Sequence, residues 1–144
     1  MENAVSLTLV PARAMPVVLY GWSSDVFYIQ LLVWLVACSV TVDGIKRLFG
    51  NEGVYGRPAD AVACDILCAG GPVGGAPGFP SGHMATSAAL VTALWVHTQS
   101  PLVLGVGIPW IGAMAWSRWA KHCHNWAQIV AGTVFGCVFG VVIH

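Results

Sequence analysis

From Val26 to Val42 the chain is apolar apart from Gln30, Ser39 and Thr41 and carries no charge. That is close to the ~20 residues a helix needs to cross hydrocarbon. The stretch from Met84 to Trp116 is also uncharged, yet as one helix it would run about 50 Å at ~1.5 Å per residue, too long for a bilayer core of about 30 Å. It must turn once. Gln99-Ser100-Pro101 is the place, because proline steers the residue before it away from helix. This gives spans at Met84–Thr98 and Leu102–Trp116. A last span is predicted over Trp126–Ile143, where Gly132, Gly136 and Gly140 recur every four residues as a stripe for close helix packing.

The apolar N-terminal stretch, Ala4 to Trp22, is interrupted by Pro11, Arg13 and Pro16 and reads as an interfacial helix or a kinked fifth span. Between Asp43 and His83 lies one long segment of polar and small residues, read as loop with a short helix around Ala59 to Cys68. The fold class is therefore all-α, a polytopic membrane helix bundle. Its four core spans are 26–42, 84–98, 102–116 and 126–143, in a single membrane-embedded domain over 1–144 whose first 24 residues are a separate N-terminal segment.

Composition agrees: 8% of residues are charged and 57% hydrophobic, against roughly 25% charge in an average soluble domain. The formal net charge is zero and no basic run occurs, which excludes a nucleic-acid module. The five cysteines are an odd number lying mostly in apolar stretches, and imply no disulfide framework. Met1-Glu2-Asn3 lacks a basic region before the apolar residues, so no cleavable leader is expected and the mature protein should be the whole chain.

Threading these spans through a bilayer sorts the polar residues. If Val26–Val42 ends on one face, the 43–83 loop lies there. The next helix leaves that face at His83, and the third span returns to it at Trp116. Ser117 to Asn125 then shares the face with the loop. His83, His122 and His124 gather there with Lys46, Arg47, Arg57, Arg118, Lys121 and the carboxylates Asp43, Glu52, Asp60 and Asp65. A cytoplasmic bias of basic residues would explain the cations but not the histidines at helix ends, nor the carboxylates. A polar site at one membrane face explains all of them.

Two clusters there carry chemistry. Pro80-Ser81-Gly82-His83 stands where loop meets helix. Its structural reading is a helix start capped by Ser81, and free amides at a helix N-terminus also bind phosphate. The tetrapeptide arises by chance in on the order of one in a thousand chains of this length, which favours function. Ser117-Arg118 followed by His124 is less specific alone, since Trp116, Trp119 and Trp126 could form an interfacial aromatic belt with Arg118 reaching headgroups. Its position on the same face as the first cluster tips the balance.

Together these residues resemble the type 2 phosphatidic acid phosphatase superfamily of membrane lipid phosphatases. Its motifs are Lys-(six residues)-Arg-Pro, Pro-Ser-Gly-His and Ser-Arg-(five residues)-His-(three residues)-Asp. The second is complete at residues 80–83, and the third matches at Ser117, Arg118 and His124. The first is partial: Arg57-Pro58 is present, but Lys46, or Arg47 beside it, stands further upstream than the pattern asks. Gln128 replaces the final Asp, as in the dolichyl-diphosphatase branch, and the resemblance covers roughly residues 26–143.

The resemblance implies hydrolysis of a lipid phosphate or polyprenyl diphosphate, without metal or cofactor, by a protein whose partner is the lipid bilayer and whose site is lumenal or extracytoplasmic. His124 would attack phosphorus and carry it as a phosphohistidine. Arg57, Ser81, the Gly82 amide, Arg118 and Lys46 would hold the nonbridging oxygens, and His83 would protonate the leaving oxygen. Gln128, one turn after His124, would orient its ring. Asp60 and Asp65 read as solvated loop residues.

Two rival readings stand beside this one. Cys64 and Cys68, completed from His122-Cys123-His124, could hold zinc, although that leaves Pro80–His83 unexplained. Alternatively, the altered first and third motifs could mark a catalytically impaired member that binds lipid phosphate or acts as an interaction protein.

Overall fold

The computed structural model describes residues 1–143, and among these every regular element is helical. The order is α1 (Glu2–Leu7), α2 (Leu9–Ser23), α3 (Val26–Phe49), α4 (Gly82–Thr98), α5 (Pro101–Ala120) and α6 (Trp126–Val142), with a short 3₁₀ turn at Gly53–Tyr55. Glu2–Ser23 and Val26–Phe49 are each long and apolar enough to cross a membrane, and Trp126–Val142 is a shorter apolar helix. The architecture is the all-α membrane bundle that the hydropathy pattern predicts.

α4 is the central helix. Its residues from His83 to Leu94 are buried with one exception, Thr92. Ala85, Ala89, Leu90, Ala93 and Leu94 meet Phe27, Leu31, Leu35, Cys38 and Val42, which recur along one face of α3. On its other side α4 takes the glycine stripe of α6: a Cβ on Gly140 would lie 2.6 Å from the Ala89 carbonyl oxygen. At Gly136 and Gly132 the carbonyls of Ala85 and Ser81 are closer still. Small residues therefore let two backbones touch, which is how apolar helices associate where lipid removes the hydrophobic drive.

The break between α4 and α5 falls where the sequence predicts it. Gln99 adopts a left-handed φ of 51° and ends α4, and Pro101 opens α5. Two boundaries differ by more than two residues. α3 continues past Val42 to Phe49, and α5 past Trp116 to Ala120. Charge limits a span but not a helix, and Lys46, Arg47 and Arg118 sit in last turns, where cations favour the helix dipole. Gly50, at φ 68°, ends α3.

Thr8 divides the N-terminal stretch into two helices. α1 lies against α5, where Ser6 Oγ and Ser117 Oγ are 2.6 Å apart. α2 packs on α3, and Trp110 of α5 donates to Thr8 Oγ1 at 2.8 Å.

The short helix expected at Ala59–Cys68 is absent. Residues 61–63 pair instead with 71–73, through Val73 N to Ala61 O at 2.8 Å and Ala63 N to Gly71 O at 3.2 Å. Ala63 and Cys68 have left-handed φ values of 52° and 54°, incompatible with helix. The expectation of no disulfide is also overturned, because Cys64 and Cys123 are bonded to each other. Fifty-nine residues separate them in the chain, so spacing gave no sign of the pairing. The bond ties the 50–81 loop to the α5–α6 turn.

Candidate active site

The loop, α2, the ends of α3 and α4 and the α5–α6 turn enclose a cavity of about 380 Å³ lined by Lys46, Arg57, Gly82, His83 and His124, with Arg13, Ser39, Asp43 and Asp65 also in its wall. Ser81, Arg118 and Gln128 lie behind this lining, each fully buried. All eight residues singled out in the sequence thus converge on one end of the bundle.

His124 stands at the turn into α6 and is 2% exposed. Its Nδ1 lies 2.8 Å from Gln128 Oε1. Gln128 sits one turn later because Asn125 caps α6, accepting from the Gln128 amide at 3.0 Å. The Gln128 Nε2 donates to the carbonyls of Val54 at 2.9 Å and Gly56 at 2.7 Å. Carbonyls only accept, so the amide nitrogen must face them and Oε1 must face the imidazole. Nδ1 is then the protonated nitrogen of His124, and Nε2 keeps a lone pair. Gly78 makes room for this network, since a Cβ there would come within 2.8 Å of Gln128 Oε1.

The Nε2 of His124 lies 3.5 Å from Arg57 Nη1, which also donates to the Cys123 carbonyl at 3.2 Å. Arg57 is held by the folded-back loop: its N–H donates to Ala76 O at 2.9 Å and its carbonyl accepts from Gly75 N at 3.2 Å. Burial, and after it the Arg57 charge, pushes the His124 imidazole well below the ordinary histidine range, partly opposed by the bond to Gln128. The ring is neutral at pH 7. Burial and the neighbouring Arg118 likewise lower the Arg57 guanidinium, which still keeps its proton because its starting value is so high.

Ser81 occupies the N-cap position of α4, yet its side chain makes no capping bond. Its N–H donates to the Gln128 carbonyl at 2.9 Å, while its buried Oγ has no hydrogen-bond partner among the described residues. The structural reading of this serine as a cap therefore fails, and a buried hydroxyl without a partner calls for a ligand or water. Arg118 is similar: Nη1 lies 3.1 Å from His83 Nε2, and neither Nε nor Nη2 makes a hydrogen bond among the described residues. Arginine only donates, so His83 Nε2 accepts and its ring is neutral in this arrangement.

Lys46 reaches the cavity despite its shifted place in the chain, because the last turn of α3 carries it there. Its Nζ lies over Gly82, 3.5 Å from where a Cβ would stand, and 3.1 Å from Asp43 Oδ1. Arg47, the alternative cation, is exposed and outside the lining. Asp60 is solvated as expected, paired with His122 at 2.6 Å. Asp65 is exposed but lines the cavity, its Oδ1 accepting from Ala69 N at 2.9 Å. The proposed zinc set does not assemble, since Cys64 is spent in the disulfide and His122 faces Asp60.

Sequence reasoning placed Asp43 on the polar face without a role and missed one participant, Arg13. Arg13 carried a signal, a lone cation in an apolar helix, and such a residue turns inward towards a partner or a polar cavity.

No curated protein and no solved structure gives a significant match to this chain. A family model does: that of the PAP2 superfamily matches residues 27–144, a span that includes the cavity lining from α3 to α6. The chain therefore belongs to the PAP2 superfamily, whose general activity is phosphoester hydrolysis.

Proposed function

We propose that this protein hydrolyses a phosphate ester or diphosphate at the head of a lipid, through a phosphohistidine formed on His124. The observation that carries this reading is the locked amide of Gln128. With both its N–H groups on backbone carbonyls, it accepts from His124 Nδ1 and leaves the Nε2 lone pair beside a cationic cavity. A neutral side chain thus does the orienting work of the carboxylate usual in the family motif. The part it lacks is the charge that would stabilise an imidazolium.

Nε2 attacks phosphorus. Arg57, Lys46 and Arg118, with Ser81 Oγ and the Gly82 amide, neutralise and hold the nonbridging oxygens as charge shifts in the transition state. Water then cleaves the P–N bond and His124 returns to its neutral form. His83 stands where a leaving oxygen would depart. It delivers a proton only after taking one up, because its Nε2 accepts from Arg118 in the present arrangement.

A second cavity, of about 360 Å³ and almost wholly apolar, supports a lipid substrate. It is lined by residues of α2, α4 and α5, among them Ala12, Leu90, Leu94 and Trp110. Leu90 lies eight residues beyond Gly82, about 12 Å along the helix axis, the depth at which an acyl or prenyl tail would run. We further propose that the helices thread the bilayer repeatedly and that the site faces an extracytoplasmic or lumenal compartment, where the Cys64–Cys123 bond would persist.

The test is release of inorganic phosphate by purified protein, with chelator present, from phosphatidate and from prenyl phosphates and diphosphates. Wild type should release phosphate from at least one of them and His124→Ala from none. Equal release by both proteins would sink the histidine nucleophile.

A further inference from the structure

Arg13 lies in α2, before the family match begins at residue 27, and none of the three motifs accounts for it. It nevertheless lines the polar cavity. Its Nη2 donates to Ser39 Oγ at 3.0 Å and Thr86 Oγ1 at 2.8 Å. Both hydroxyls have already committed their protons, Ser39 to Leu35 O at 3.0 Å and Thr86 to Gly82 O at 2.9 Å. They turn lone pairs towards the guanidinium, orienting it without neutralising it. The buried Nε has no hydrogen-bond partner, and no carboxylate lies within ion-pair distance of Arg13 among the described residues. Asp43 is near enough to act on its charge, but that carboxylate bonds Lys46. An oriented, part-buried cation without a bonded counter-ion gains from an anion entering the cavity.

Its position says which part of a substrate that anion belongs to. Thr86 follows His83 by one turn of α4, so the bond to Thr86 sets the guanidinium on the His83 side. Arg118 and Lys46 act on both histidines, whereas of the two Arg13 acts on His83 alone and Arg57 on His124 alone. In an in-line displacement the nucleophile and the leaving oxygen lie on opposite sides of phosphorus. Arg13 is then a cation on the leaving side. Beside it, His83 Nε2 accepts from Arg118 and carries no proton to hand to a leaving oxygen. An alkoxide leaving from a monoester needs that proton. A phosphate leaving from a diphosphate does not, and needs a cation instead.

We propose that Arg13 binds the departing phosphate of a lipid diphosphate and so sets a preference for diphosphates over monoesters of the same lipid. The proposal rests on the phosphatase reading above and deepens it. His124 Nε2 bonds to the terminal phosphorus. The bond from that phosphorus to the bridging oxygen breaks, and its electron pair stays on the oxygen, now a terminal oxygen of the lipid monophosphate held by Arg13. Water next attacks the phosphohistidine, the P–N electrons return to His124, and the products are lipid monophosphate and inorganic phosphate.

The experiment compares farnesyl diphosphate with farnesyl monophosphate, identical in tail, using the full chain in detergent micelles with chelator. Wild type should favour the diphosphate in kcat/KM. Arg13→Gln should lower that preference about tenfold or more, the effect of losing one charge-assisted contact. Arg13→Lys, which keeps the charge but not the fork, should lower it less and is the variant to read if Arg13→Gln does not fold. Equal loss on both substrates, or a wild type without the preference, would overturn the proposal. Calorimetric binding of the two probes to His124→Ala and to His124→Ala/Arg13→Gln separates the claims. If wild type turns over neither probe but only the first variant binds the diphosphate more tightly, the phosphatase reading fails and the role of Arg13 stands. If turnover is real but neither variant discriminates, the reverse holds.

Discussion

α4 carries a histidine near each end, and the two ends differ in how their polar groups are satisfied. At one end His97 Nε2 lies 2.9 Å from Asp25 Oδ2, its ring stacked on Phe27 at 3.7 Å. The same carboxylate group caps α3 through the Phe27 amide at 2.9 Å. That amide above all, and His97 after it, holds Asp25 below the usual carboxylate range. A carboxylate meets an imidazole, a helix terminus is satisfied, and the cluster closes on itself. At the other end His83 meets a cation, Arg118, and Ser81 has a buried hydroxyl with no hydrogen bond among the described residues. Arg13, Lys46 and Arg57 converge on the same space. A cluster that completes its own bonds holds helices together, whereas one that leaves donors pointing into a cavity is stabilised by what binds there.

The sharpest way to break this contrast is at His124. His124→Ala should lower phosphate release by on the order of 10⁴-fold or more, as loss of a nucleophile does elsewhere. Next is Gln128→Leu, which frees the imidazole and strands the Val54 and Gly56 carbonyls. Its kcat should fall about 10²- to 10⁴-fold, by analogy with mis-set tautomers in other triads. A change below tenfold would mean that the amide does not orient the ring.

Removing the cross-link should act on stability first. Cys64→Ser should lower it by about 2–4 kcal/mol, read as a fall in thermal midpoint. The same fall should appear on reducing the wild type. Ser81→Ala and His97→Ala should then separate the two ends. The first should cost about tenfold in kcat/KM with an unchanged midpoint, because Ser81 Oγ bonds nothing among the described residues. His97→Ala should lower the midpoint by a few degrees, as losing about 1 kcal/mol does, and leave kcat/KM alone.

The smallest effect is one of pH. His124 is neutral when folded and its value is lowered, so below about pH 6.5 the unfolded chain binds a proton that the folded one does not. Stability from this group is present above that pH and is lost as pH falls towards the folded value, by up to about 1.4 kcal/mol per unit. Nitrogen NMR of the ring should show Nδ1–H and an unprotonated Nε2 across pH 6.5. An imidazolium there would contradict the site's electrostatics.

The chain's own pattern determined the helices, because an uncharged run of set length has few alternatives in lipid: the cut at Gln99–Pro101 and the glycine stripe of α6 both stand where hydropathy and small residues require them. It also determined which end of the bundle is polar, since counting crossings places His83 and His124 together without any contact being known. Tertiary structure alone decided how those residues are used. That Ser81 does not cap, that Gln128 presents oxygen rather than nitrogen to His124, and that Lys46 rather than Arg47 enters the cavity all depend on partners distant in sequence, such as Val54 and Gly56. The Cys64–Cys123 bond and the arrival of Arg13 have the same origin. Periodicity reports which face of a helix is apolar, but which atom meets which is fixed only when the helices close on one another.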